Sequence, residues 1–253
     1  MILPADMLLV IAAPFIGSFL TTLAYRLPAG APIALARSAC PSCAGILSPL
    51  SLVPVISWMV QRGRCRRCQE RISPSYPLIE IAALLIAVWA IWAMPSGSGW
   101  VLAVSCILGW TLLVLTLIDT RHFILPDVLT LPLWAAGLVV TFVIDRGQEV
   151  TNHLIASVSG FLSLALINVL YRRLRGRDGL GLGDAKLLGA GGAWVGIAGI
   201  PGILLIASFS GLAWALARGG LQHRISAQTR IAFGPFLSLG IWIIWLYGPL
   251  EFR

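Results

Sequence analysis

The chain has 253 residues, is 58% hydrophobic and only 11% charged, and carries a formal net charge of +8. A soluble domain has about 25% charged residues, so this composition excludes one large water-soluble core and predicts an all-α polytopic membrane protein. The positive charge does not point to nucleic acid: no DNA- or RNA-recognition module occurs, and the basic residues cluster between apolar runs, as the positive-inside pattern requires.

The first apolar run, 7–25, has Asp6 where a secretory leader would have basic residues, and no small-x-small cleavage site precedes Tyr25-Arg26. It reads as a retained helix. Further apolar segments follow at 77–94, 100–118, 128–144, 152–171, 185–198, 201–217 and 234–250. Each is near the length of a spanning helix, which gives about eight transmembrane helices. The sixth is short and rich in glycine. Pro95-Ser96-Gly97-Ser98-Gly99 marks a turn between the second and third, and Pro201 divides the sixth from the seventh.

Orientation follows from the cations. With the N-terminus periplasmic, 16 of the 18 Lys and Arg residues fall on the cytoplasmic side, and only Arg146 and Arg253 fall outside. An odd number of spans would break this alternation. The same topology brings Asp119, at the end of the third segment, and Asp184, at the start of the sixth, to the cytoplasmic edge. They are 65 residues apart in sequence but at one depth.

The first cytoplasmic loop holds Cys40-Pro41-Ser42-Cys43 and Cys65-Arg66-Arg67-Cys68. Two C-x-x-C knuckles at this separation suit four thiolates around one tetrahedral zinc ion. The alternatives are disulfides or unliganded thiols, and a reducing cytoplasm weighs against the first. A zinc site would organise a loop too small to fold on an apolar core alone. Cys106 lies inside the third segment and reads as a packing residue.

Ten residues are acidic. Asp6, Asp145, Glu149 and Glu251 fall on the outer side, Glu70 among arginines, and Asp178 in the charged loop that starts at Arg172. Glu80 reads as beginning the second segment, where an acid favours the helix dipole. Asp119, Asp127 and Asp184 remain. A charged Asp at mid-membrane costs about 2.5–3.5 kcal/mol on insertion scales, so acids retained at a boundary suggest function. Asp127 follows Pro126 and reads first as a cap for the fourth segment, with catalysis as the alternative. Asp184 follows Gly179, Gly181 and Gly183, which leave the backbone open to an extended peptide. The glycine run alone also suits helix packing. The histidines His122, His153 and His223 form no Ser-His-Asp or H-E-x-x-H arrangement, and no Walker loop occurs.

On these motifs the chain resembles the type IV prepilin peptidase family, the bifunctional leader peptidase/N-methyltransferases of pilus and type II secretion systems. The parts occur in family order. They are Gly17-Ser18-Phe19-Leu20 with Arg26-Leu27-Pro28, the two cysteine knuckles, Tyr76-Pro77-Leu78-Ile79-Glu80, Leu117-Ile118-Asp119 with Leu125-Pro126-Asp127, Gly181-Leu182-Gly183-Asp184 with Lys186-Leu187, and Phe233-Gly234-Pro235. The resemblance implies an aspartic endopeptidase of the bacterial inner membrane with its active site facing the cytoplasm. Such an enzyme cuts prepilins or pseudopilins after a leader glycine, and the family aspartates fall on Asp119 and Asp184. It also implies methyl transfer from S-adenosylmethionine to the new N-terminus, an activity with which Gly63 is associated. Residues 1–76 would then carry the zinc-binding, methyl-transfer-associated region and 77–253 the peptidase. Thr21 stands where the family commonly has Asn, and the first loop is shorter than in many members. The alternatives are a related G-x-G-D protease without methyl transfer, a proton-coupled transporter, and a zinc-stabilised assembly factor. Acids at one face, and no inverted repeat, weigh against the transporter.

Overall fold

The computed structural model describes residues 4–33, 38–40, 42–95, 98–176, 181–222 and 231–250. Arg37, Pro41, Ser96, Gly97, Arg177, Asp178, Gly179, Leu180, His223, Arg224, Arg230, Glu251 and Arg253 lie outside the described residues. The helices are α1 (Pro4–Arg26), α2 (Ile56–Val60), α3 (Ser75–Ala93), α4 (Gly99–His122), α5 (Asp127–Ile144), α6 (Val150–Arg175), α7 (Leu182–Val195), α8 (Gly199–Gln222) and α9 (Gly234–Tyr247). Apart from one 3₁₀ turn at Pro49–Leu52 and two isolated β-bridges, the described residues outside these helices are irregular.

An apolar helix stands at each of the eight expected positions. Six of them, α1, α3, α4, α5, α6 and α8, are long and apolar enough to cross a membrane, and the protein is an integral membrane protein. The other two are shorter: α7 keeps the short length of the sixth segment but starts three residues earlier, at Leu182, and α9 ends at Tyr247 rather than at 250. Helices α7 and α9 have 14 residues each. At about 1.5 Å per residue they rise roughly 21 Å, less than a hydrocarbon core of about 30 Å.

Helix limits follow local chemistry. Helix α1 has Asp6 in its first turn and Arg26 in its last, both favourable to the dipole. Pro28 then bars continuation by pushing Leu27 out of helical space. Helix α5 starts after Pro126 at the N-cap, with Asp127 in its first turn. Helix α9 has Pro235 near its start, where the missing N–H costs nothing.

The chain divides into two compact units, Met1–Trp110 and Thr111–Arg253. In the first, α1 packs along α3. A Cβ added to Gly17 would stand 2.7 Å from Glu80 Cα, so the two backbones nearly touch. Thr21 is fully buried on this helix and satisfies its hydroxyl on Gly17 O at 2.9 Å. The Trp110 indole donates to Ala83 O at 3.0 Å. Glu80 differs from expectation. Helix α3 starts five residues earlier, at Ser75, so Glu80 is not in the first turn but buried on the helix side.

In the second unit α7 is the axis. It packs on α5, α6, α8 and α9 and is buried on nearly every face, as a helix apolar all round should be. Its small residues admit the neighbours. Added Cβ atoms would stand 2.6 Å from Trp134 at Gly189, 2.7 Å from Ile241 at Gly191 and 2.6 Å from Ala156 O at Gly192. The helix that carries Asp184 is therefore clamped from three sides. His153 belongs to this scaffold: its Nδ1 lies 3.1 Å from Ala193 O and its Nε2 3.6 Å from Asp145.

Candidate active site and metal centre

Asp119 lies in the last turn of α4 and Asp184 in the first turn of α7. Both are buried, at 5% and 8% exposure. Both line one cavity of about 270 Å³, together with Leu125, Gly181, Gly183 and Lys186. The tertiary fold thus brings together the two acids that topology had placed at one depth.

Each acid is held by a backbone donor. Gly181 N–H donates to Asp184 Oδ2 at 3.3 Å, so the acid bonds back to the N-cap of its own helix. Gly234 N–H donates to Asp119 Oδ2 at 3.0 Å from the start of α9. A Cβ on Gly234 would stand 2.7 Å from that same oxygen and 3.3 Å from Leu125. Only a glycine lets the α9 N-terminus come this close. The sequence marks Phe233-Gly234-Pro235 as a motif, but nothing local says that its N–H reaches an acid 115 residues away.

Asp127 is exposed and is not among the cavity residues. Its carboxylate pairs with Lys186 Nζ at 2.6 Å, tying the start of α5 to the N-terminal half of α7. Pro126 occupies the N-cap position where Asp127 was expected to act. His122 is exposed and likewise absent from the cavity lining.

The four loop cysteines converge in the first unit. Their Sγ atoms all lie within 4.8 Å of one another, and those of Cys40 and Cys68 are 3.8 Å apart. A tetrahedron with metal–sulfur bonds of about 2.3 Å has an edge of roughly 3.8 Å, so the donor set fits one tetrahedral ion. The two knuckles repeat one design. Cys40 N–H donates to Gly45 O and Ala44 N–H to Cys40 O; Cys65 N–H donates to Glu70 O and Gln69 N–H to Cys65 O. Ala44 and Gln69, each four residues after the leading cysteine, both have positive φ. Backbone N–H groups of Cys43 and Ser42 hold the Cys40 thiol down to about 6. Those of Cys68 and Arg67 lower Cys65. Such turns favour the thiolate at the leading cysteine of each knuckle; at Cys68 a Glu70 backbone bond acts the same way, but burial and the neighbouring sulfurs push the thiol up to about 12. Cys106 is fully buried in α4 and takes no part.

Gly63, just before the second knuckle, has φ +66°, and a Cβ there would meet the Trp58 ring at 2.9 Å.

A membrane protein with two buried aspartates in one cavity and a separate four-cysteine centre is the class that fold and site define. Family comparison agrees. Residues 11–94 match the bacterial peptidase A24 N-terminal domain and residues 106–216 the type IV leader peptidase family. The chain is 38% identical over 216 residues to a prepilin leader peptidase/N-methyltransferase of Aeromonas hydrophila, covering 84% of this chain and 72% of that protein. It is 38% identical over 254 residues to one of Burkholderia pseudomallei, covering 89% and 80%. It is 35% identical over 216 residues to one of Pseudomonas aeruginosa, covering 85% and 73%. The chain belongs to the type IV leader peptidase family. No solved structure matches it.

Proposed function

We propose that this protein cleaves the leader peptide of type IV prepilins or pseudopilins in the bacterial inner membrane, with Asp119 and Asp184 as the catalytic pair, and then N-methylates the new N-terminal residue. The observation that carries the peptidase reading is the shared cavity. Two buried carboxyls come from helices far apart in sequence, and each is fixed by a backbone N–H. One acid works ionised and the other protonated. The ionised carboxylate takes a proton from water, whose oxygen attacks the peptide carbonyl. The protonated carboxyl hydrogen-bonds the carbonyl oxygen, and a proton passes to the leaving amine as the C–N bond breaks. The charge asymmetry of the loops supports a periplasmic N-terminus and an active site at the cytoplasmic edge.

The four cysteines would hold a structural zinc ion. The methyl-transfer half of the reading rests on the names of the three relatives. The donor, S-adenosylmethionine, supplies a methyl group on a sulfonium sulfur. The freed amine's lone pair forms the new C–N bond, the sulfur keeps the electrons of the broken bond, and the amine's proton goes to water. We assign methyl transfer to the region through residue 76 and its packing partners, and cleavage to the helices that carry the aspartates.

The test is co-expression with a prepilin in cells lacking their own peptidase, followed by the intact mass and N-terminal peptide of the pilin. Cleavage after the leader glycine with one added methyl group is expected. Cleavage without methylation would restrict the function to proteolysis. Uncut substrate across several pilins, with the protein present in the membrane, would overturn the peptidase reading.

A further inference from the structure

The first unit contains a second and larger cavity, of about 480 Å³, that the aspartate chemistry does not use. Small-molecule sites enclose about 300–1,000 Å³. Cys40 and Cys65 line one side of it, so the metal centre forms part of its wall.

The remaining wall has two features that a plain structural void would lack. The first is aromatic. Tyr25 and Tyr76 stack with ring centroids 5.8 Å apart and planes 13° apart. Trp58 adds a third ring. Its indole N–H donates to Ile72 O at 3.1 Å, and Ile72 N–H donates to Gly63 O at 2.7 Å. Gly63, at positive φ, sits against this ring with no room for a Cβ. The ring is thus pinned from both sides, and Gly63 acts on the cavity only through Trp58.

The second feature is Glu80. It lines the cavity yet is only 7% exposed. Its Oε2 accepts Val55 N–H at 2.7 Å. Val55 has φ +59° and ψ −55°. A β-branched residue there is a true backbone outlier, and such strain gathers at ligand sites. The strained turn aims an N–H at the buried acid and so holds its carboxyl in the same cavity wall as the three aromatic rings.

We infer that this cavity binds the methyl donor, S-adenosylmethionine. The inference rests on the methyl-transfer reading above and gives it a place. The donor carries a sulfonium and an ammonium, both attracted to aromatic faces and to a carboxylate. Its adenine is a flat ring of the kind that stacks on Tyr or Trp. Arg26 and Arg71, also in the wall, suit its carboxylate. Glu80 and Trp58 are the donor-binding residues, and Gly63 is a positioning residue.

The experiment uses the full chain in detergent and S-adenosylhomocysteine as the probe, with titration calorimetry as the readout. Glu80→Gln keeps shape and an acceptor for Val55 but removes the charge. It and Trp58→Ala should each weaken binding by about 10–100-fold, while Trp58→Phe should restore most of it. Gly63→Ala should weaken binding through displacement of Trp58. In parallel, radiolabelled S-adenosylmethionine is photo-crosslinked to the wild-type chain, with the adduct expected within residues 18–80. This arm does not depend on any variant folding. Wild-type affinity in well-dispersed Glu80→Gln and Trp58→Ala, or an adduct in the second unit, would overturn the cavity assignment while leaving methyl transfer intact. A wild-type chain that cuts prepilin but neither binds the probe nor methylates would overturn the methyl-transfer reading and this inference with it.

Discussion

The cysteine centre and the aspartate cavity are built by opposite means. The cysteine centre is local. Two short turns of one design, 25 residues apart in sequence, each present their thiols through their own backbone hydrogen bonds. The aspartate cavity is non-local. It draws one acid from the end of α4, another from the start of α7, and a backbone donor from the start of α9. A local site depends on turn chemistry and on the bound ion, whereas a non-local one depends on how helices pack. The two should therefore fail under different perturbations.

The largest expected effect tests the aspartates directly. Asp119→Asn and Asp184→Asn should each lower prepilin cleavage by about 10²–10⁴-fold, measured as initial rate on purified protein, with bound metal retained. Near-wild-type cleavage in either variant would remove that residue from the catalytic pair. Next is the backbone donor. Gly234→Ala would put a methyl group 2.7 Å from Asp119 Oδ2. Displacement of a reacting group by about 1 Å can cost 10²-fold, so kcat should fall by about that much while KM changes little. An unchanged kcat would mean that Asp119 needs no help from α9.

Metal removal should show the contrast from the other side. Chelation, or Cys40→Ser, should reduce bound zinc from about one ion per chain to almost none. It should expose the segment between α1 and α3 to proteolysis, while cleavage falls by less than in either aspartate variant. Equal loss of cleavage would break the contrast by tying the two centres together. The smallest effect belongs to the Asp127–Lys186 pair. Asp127 is more than half exposed on its side chain, and such pairs contribute about 0–1 kcal/mol. Asp127→Asn should lower thermal stability by no more than that and cleavage by a few-fold at most. A loss as large as for Asp184→Asn would move Asp127 into the catalytic machinery.

Much of this was readable from the chain. Apolar runs placed eight helices, and the spacing of cysteines singled out the four that converge. Positions at the ends of apolar runs singled out Asp119 and Asp184, which share one cavity. Three points were not readable. The position of α7, three residues before its apolar run, and the end of α9 were set by Gly181, Gly196 and Gly248, which an apolar run does not reveal. Glu80 was read from its position near a helix start, but its burial comes from the close approach of α1 at Gly17 and from the strained turn at Val55. Asp127 was read as a cap because the sequence shows Pro126 before it and cannot show Lys186 beside it.

The sequence by itself determined what depends on neighbours along the chain: membrane helices, from unbroken apolarity, and a four-cysteine cluster, from two knuckles that close through their own hydrogen bonds. Only the tertiary structure decided which distant groups meet. Asp119 meets Asp184 in one cavity, and the Gly234 N–H reaches Asp119, because glycines let α7 and α9 pack closely enough. In the first unit, Trp58, Tyr25, Tyr76 and Glu80 enclose a second cavity because Gly17 and Gly63 have no Cβ to keep α3 and the Trp58 ring away. Close packing at a missing Cβ has no signature in apolarity or charge, so these contacts become visible only in the fold.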